Sequence, residues 1–126
     1  MREAVSTEKA PKAIGPYSQA VKANGFIFVS GQLPINPATG QLVAGTIEEQ
    51  TEQALRNVQA ILEEAGASLD SVVKTTLFVR DMSDFPKINE AYAKFFKSNP
   101  PARSTVQAAR LPKDAGIEIE AVAAVR

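Results

Sequence analysis

The stretch GIEIEAVAAV, Gly116 to Val125, reads as a strand, and it carries two glutamates within an otherwise apolar run. Side chains alternate across a strand, so Ile117, Ile119, Ala121 and Ala123 take one face. Glu118, Glu120, Val122 and Ala124 take the other. A strand that is wholly apolar on one side needs a layer packed against that side. The acidic side is either a wetted face, as on many antiparallel sheets, or a functional carboxylate pair.

Working outward, Arg103 to Ala109 (RSTVQAA) is a neighbouring strand, and Asn99-Pro100-Pro101 ends the helix before it. That helix has Ser83 as its N-cap and turns Phe85, Ile88, Tyr92, Phe95 and Phe96 inward. Ser71 to Arg80 is a long strand, with Val73, Thr75, Leu77 and Val79 on one face and Lys74, Thr76, Phe78 and Arg80 on the other. A first helix begins at Thr46, where Thr46 and Glu49 fit a capping box. Ile47, Leu55, Val58, Ile61, Leu62 and Ala65 form its apolar stripe, and Gly66 stops it. LPINPATGQL is loop or turn, broken by Pro34, Pro37 and Gly40. Before it, Ser18–Val21 and Phe26–Ser30 flank Asn24-Gly25, a hairpin signal.

The element order is therefore strand, strand, helix, strand, helix, strand, strand. It predicts an α+β fold over residues 1–126, one domain, with a single mixed β-sheet and two helices packed on one face. Several strands are apolar on both faces, so the uncovered face is expected to meet another copy of the chain.

The 126 residues include 14 Lys plus Arg and 14 Asp plus Glu, and no histidine or cysteine. Balanced charge gives no global field for nucleic acid or an anionic membrane. The missing imidazole and thiol exclude Cys/His zinc sites, Ser-His and Cys-His nucleophiles and redox dithiols. No metal or organic cofactor is expected. With no leader-like run near Met1 and no segment of membrane-spanning length, the expected location is the cytoplasm.

Arg103 follows Pro100-Pro101-Ala102, a rigid lead-in that fixes a guanidinium at a strand start. Its planar fork suits a carboxylate, which it can hold by two oxygens at once. The plainer reading is a surface arginine at a sheet edge.

PARSTVQAARLPKDAGIEIEA, together with AIGPYSQA at Ala13–Ala20 and VSGQLPINPATG at Val29–Gly40, closely resembles the Rid family of reactive intermediate deaminases, also called YjgF-like proteins. The resemblance runs over nearly the whole chain. It implies a YjgF/chorismate-mutase-like fold and a homotrimer with active sites between subunits. It also implies hydrolysis of 2-imino acids, such as 2-iminopropanoate and 2-iminobutanoate, to 2-oxo acids and ammonia. Their source would be the enamines that pyridoxal-phosphate enzymes release. No cofactor is implied.

Position by position, the resemblance makes Arg103 the carboxylate-binding arginine and Glu118 the water-orienting glutamate. Tyr17, Ser30, Gly31 and Asn89 match substrate-contact positions. Thr105 stands where relatives often carry cysteine or alanine, which bears on pocket size and substrate preference. Glu120 is left as a neighbour without an assigned role.

The chemistry agrees with the two missing residue types. An imine carbon is already electrophilic, so its hydrolysis needs an oriented water, a partner for the carboxylate and a proton shuttle. Two other classes share the same residues: a 2-oxo acid sensing or protein-partner module, which needs Arg103 but not Glu118, and RNA cleavage or translation inhibition, which the charge balance opposes.

Overall fold

The computed structural model describes residues 2–125. Six strands form one sheet in the order β1-β2-β3-β8-β6-β7. They are β1 (Glu3–Val5), β2 (Ala20–Ala23), β3 (Phe26–Gln32), β6 (Val72–Val79), β7 (Ala102–Gln107) and β8 (Ile117–Ala124). A separate two-stranded ribbon, β4 (Ile35–Asn36) with β5 (Gln41–Leu42), occupies the stretch expected to be loop. The helices are α1 (Ile47–Glu64) and α2 (Phe85–Ala93). β6 and β7 are parallel, joined by the α2 crossover, and every other pair in the sheet is antiparallel. The α+β architecture with a mixed sheet and two helices is as expected.

The alternation read in β8 holds. Ile117, Ile119, Ala121 and Ala123 are buried beneath the helices, joined by Ile27 and Val29 of β3 and Leu77 and Val79 of β6. Leu55, Val58, Ile61 and Leu62 of α1 and Ile88 of α2 close this core from the other side. Truncating one of these fully buried leucines or isoleucines to alanine costs about 2–5 kcal/mol. The other sheet face carries Phe26, Phe28 and Val106, all large and exposed, and no helix among the described residues covers it.

Local signals act as their chemistry requires. Asn24 and Gly25 both take positive φ, 50° and 80°, as a two-residue hairpin between Ala23 and Phe26 demands. The Thr46 side chain accepts from the Glu49 amide while Glu49 returns to the Thr46 amide, completing the capping box. Gly66 at φ 87° ends α1 in a Schellman turn, with Ala67 N–H donating to the Leu62 carbonyl.

Four expectations need correction. Ser83 is not the cap of α2: a 3-10 turn over Met82–Asp84 precedes the helix, and the Asp81 carboxylate accepts from the Ser83 amide at 2.9 Å. Val73 is exposed because the β6–β8 register slips between Val72 and Lys74, and the bulge turns it away from the core. Phe95 and Phe96 lie beyond the end of α2 and are only half-buried. The strand expected at Ser18–Val21 forms two residues later, and β1 stands where the sequence predicts no strand.

Candidate active site

Between Val29 and Gln32 the β3–β8 register slips, so that Ser30 and Gly31 bulge out of the ladder. Such a bulge lets the strand leave the sheet and opens a hollow beside the partner strand. Into it, from β8, points Glu118, lining a cleft of about 720 Å³ with Tyr17, Ser30, Gly31 and Glu120. Lys12 and Lys113 stand at the same cleft. Burial, and secondly the Glu120 carboxylate, push the Glu118 carboxyl above the usual glutamate value.

Buried amides hold the walls. The Gln19 side chain accepts from the Thr7 amide at 2.7 Å and donates to the Thr7 and Pro11 carbonyls at 3.1 and 2.7 Å, which pins the N-terminal arm. Asn57, buried on α1, donates to the carbonyls of Leu33 and Ile35 at 3.0 and 2.9 Å, fixing the segment that follows the bulge. Ser30 is tied down as well: its hydroxyl donates to the Ser18 carbonyl at 2.6 Å and its amide to the Gln19 carbonyl at 2.9 Å. Its hydroxyl proton is thus committed and only acceptor capacity faces the cleft. Tyr17 follows the turn at Gly15, whose φ is 117°, and is half exposed.

Arg103 lies elsewhere. On β7 it pairs with Thr75, in the buried row of β6, so its side chain takes the helix face of the sheet. There its guanidinium carbon sits 5.1 Å from the Phe85 ring centroid and 4.9 Å from that of Tyr92. Tyr92 is itself fixed by a 2.7 Å hydrogen bond between its hydroxyl and that of Thr75. The two rings hold the guanidinium in place, and none of the ion pairs among the described residues uses it. Asn89 falls four residues after Phe85 and three before Tyr92, on the same side of α2. Thr105, two residues along β7, takes Arg103's face, and its buried Oγ1 is without a hydrogen-bond partner among the described residues.

The chain therefore carries two half-sites. Tyr17, Ser30, Gly31 and Glu118 meet at the bulge, while Arg103, Thr105 and Asn89 gather against α2. Strand register places the Cα atoms of Arg103 and Glu118 about 14 Å apart, two strands across and three residues along, with side chains on opposite faces. From the sequence, Phe85 and Tyr92 are helix core and nothing more. Their signal was two aromatic rings two turns apart on the helix that crosses over to Arg103's strand. Among the described residues no three carboxylates, histidines or cysteines cluster as metal ligands.

A family model described as Endoribonuclease L-PSP matches residues 7–125. A solved structure from Yersinia pestis, described as a member of the conserved Rid protein family, superposes with a TM-score of 0.96 at 48% identity, covering 99% of this chain and 100% of that one. The chain belongs to the Rid (endoribonuclease L-PSP) family. Among Rid relatives, the human 2-iminobutanoate/2-iminopropanoate deaminase is 52% identical over 98% of this chain and 90% of its own length. The chloroplastic Reactive Intermediate Deaminase A of Arabidopsis thaliana is 55% identical over 97% of this chain, which spans 65% of that protein. These matches span nearly the whole chain, and so the segments that carry both half-sites.

Proposed function

We propose that this chain hydrolyses 2-imino acids, 2-iminopropanoate and 2-iminobutanoate among them, to 2-oxo acids and ammonia, in clefts formed jointly by two copies. The observation that carries the reading is the Glu118 carboxyl, held above its usual proton affinity in a cleft that has room for a small acid. The deaminase relatives support the reaction class.

Glu118 takes a proton from the attacking water as its oxygen bonds to the imine carbon, and the C=N π electrons move to nitrogen. Glu118 returns that proton to nitrogen to give the carbinolamine, then carries the hydroxyl proton to nitrogen in turn, so that the C–N bond breaks and the hydroxyl carbon becomes the ketone. One water is consumed and one ammonia leaves. A carboxyl with raised affinity serves both directions of transfer. Arg103 holds the substrate carboxylate in its fork, with Thr105 and Asn89 beside it.

Because the half-sites face opposite ways, the reading requires Arg103 from one copy and Glu118 from another. The bare sheet face with Phe26, Phe28 and Val106 supports a symmetric assembly, and a homotrimer is part of the proposal. A cytoplasmic location is part of it too. No helix among the described residues is long and apolar enough to cross a membrane.

Glu118→Gln tests the reaction. With imine generated in situ by an amino-acid oxidase, ammonia release should fall to near the uncatalysed rate while 2-oxo acid affinity persists. Full turnover in Glu118→Gln would overturn the proposal. Loss of turnover and product binding together would make Glu118 a binding group and remove its acid/base role. RNA incubated with the same preparations should stay intact.

A further inference from the structure

Four glycines among the described residues, Gly15, Gly25, Gly40 and Gly66, take positive φ and are needed for their backbone shape. Gly31 is not among them. It sits in the β3 bulge with a conformation that any L-residue can adopt, so conformation does not explain it. Space does. A Cβ built on Gly31 would overlap Glu118 Oε2 and lie 2.8 Å from Glu118 Cδ and 3.1 Å from Cγ. The carboxylate packs against the bulged backbone, where a side chain would otherwise be. On its other flank stands Phe78 of β6, its cross-strand partner.

We propose that Gly31 is a positioning residue whose missing side chain is the seat of the Glu118 carboxylate. The inference rests on the deaminase reading above. What an added methyl group displaces is the far end of a flexible side chain, so the fold should tolerate it. The carboxylate would swing into the cleft, toward water and away from the backbone that now desolvates it. The charged and titratable groups facing it are Glu120 on its own strand, Lys12 and Tyr17 on the N-terminal arm, and Lys113 on the turn before β8. Arg80, at the end of β6, is turned to the Asp114 carbonyl. Leaving the hollow, Glu118 loses the burial that raises its proton affinity.

Gly31→Ala should fold with a melting temperature close to wild type and lose roughly 100-fold in kcat/KM, within the range of a misplaced acid/base group. The limb of the pH–rate profile that Glu118 controls should move down toward an ordinary glutamate. A double-mutant cycle with Glu118→Asp isolates the cause. The shorter side chain relieves the worst of the overlap, its carboxylate oxygen falling near the place of Glu118 Cδ, so Gly31→Ala should cost much less in that background. If Gly31→Ala costs the same factor in both backgrounds, the glycine serves substrate or backbone and the proposal is wrong. Wild-type kcat/KM with an unmoved limb in Gly31→Ala would also overturn it, while an inactive Glu118→Gln would leave the deaminase reading standing. Should Gly31→Ala fail to fold, Gly31→Ala/Glu118→Asp must fold, or the backbone itself requires glycine and the inference falls.

Discussion

Replacing Arg103 with lysine keeps the charge and removes the fork. The guanidinium carbon lies 5.1 and 4.9 Å from two ring centroids, which confine where the fork can sit before a ligand arrives. A lysine ammonium at the end of a flexible stem has neither a plane to orient nor two parallel donors. Losing one charge-assisted hydrogen bond costs about 1.5–3 kcal/mol, or roughly 10- to more than 100-fold in kcat/KM. The two rings should give a smaller, graded effect. Phe85→Leu removes one cation–π contact of about 0.5–1 kcal/mol, so kcat/KM should fall only about two- to fivefold. The assay is ammonia release from iminopropanoate generated in situ, run beside an imine without a carboxylate. That second substrate should be poor for wild type and indifferent to Arg103→Lys. Near wild-type efficiency in a well-folded Arg103→Lys would mean the arginine is structural, and the carboxylate-binding role would fail.

Two further outcomes concern the cost of the site and its assembly. Glu118 has its proton affinity raised in the folded state, mainly by burial, so its contribution to stability is fully present below the unfolded glutamate value and is lost as pH rises through the folded one. Glu118→Gln should therefore melt higher than wild type at pH 8, with the advantage vanishing below about pH 4; a constant difference across that window would contradict the assigned cause. Phe28→Glu places a charge on the bare sheet face and should release monomers in sedimentation equilibrium, with turnover lost in step. An intact, active oligomer would remove that face from the interface.

The fold was legible wherever a local pattern had to agree with its surroundings. The β8 alternation, the Asn24-Gly25 turn, the Thr46–Glu49 box and the Gly66 stop each state their own geometry, and each stands in the structure. β1 escaped because three residues carry no period, and it exists only by pairing with β2. Val73 departs from its alternation because a bulge is set by the partner strand. The candidate site was legible as a set of residues and not as a place. The strands raise Arg103 and the Glu118–Glu120 pair as candidates, by a proline lead-in and by paired acid, and the family resemblance is what selects Glu118. That Arg103 and Glu118 face opposite ways depends on β6 lying between β7 and β8, and on its register with both, which no local pattern encodes. The same holds for the hollow at Gly31, which takes its meaning from a side chain on a neighbouring strand.

The claim that two copies complete one site is tested most directly by mixing two inactive variants. Arg103→Ala and Glu118→Gln subunits, unfolded together in equal amounts and reassembled, give each interface one chance in four of drawing Arg103 from one copy and Glu118 from the other. About a quarter of wild-type turnover should return, although neither variant alone shows any. No recovery in mixed oligomers whose subunit exchange is verified by mass would contradict the shared site.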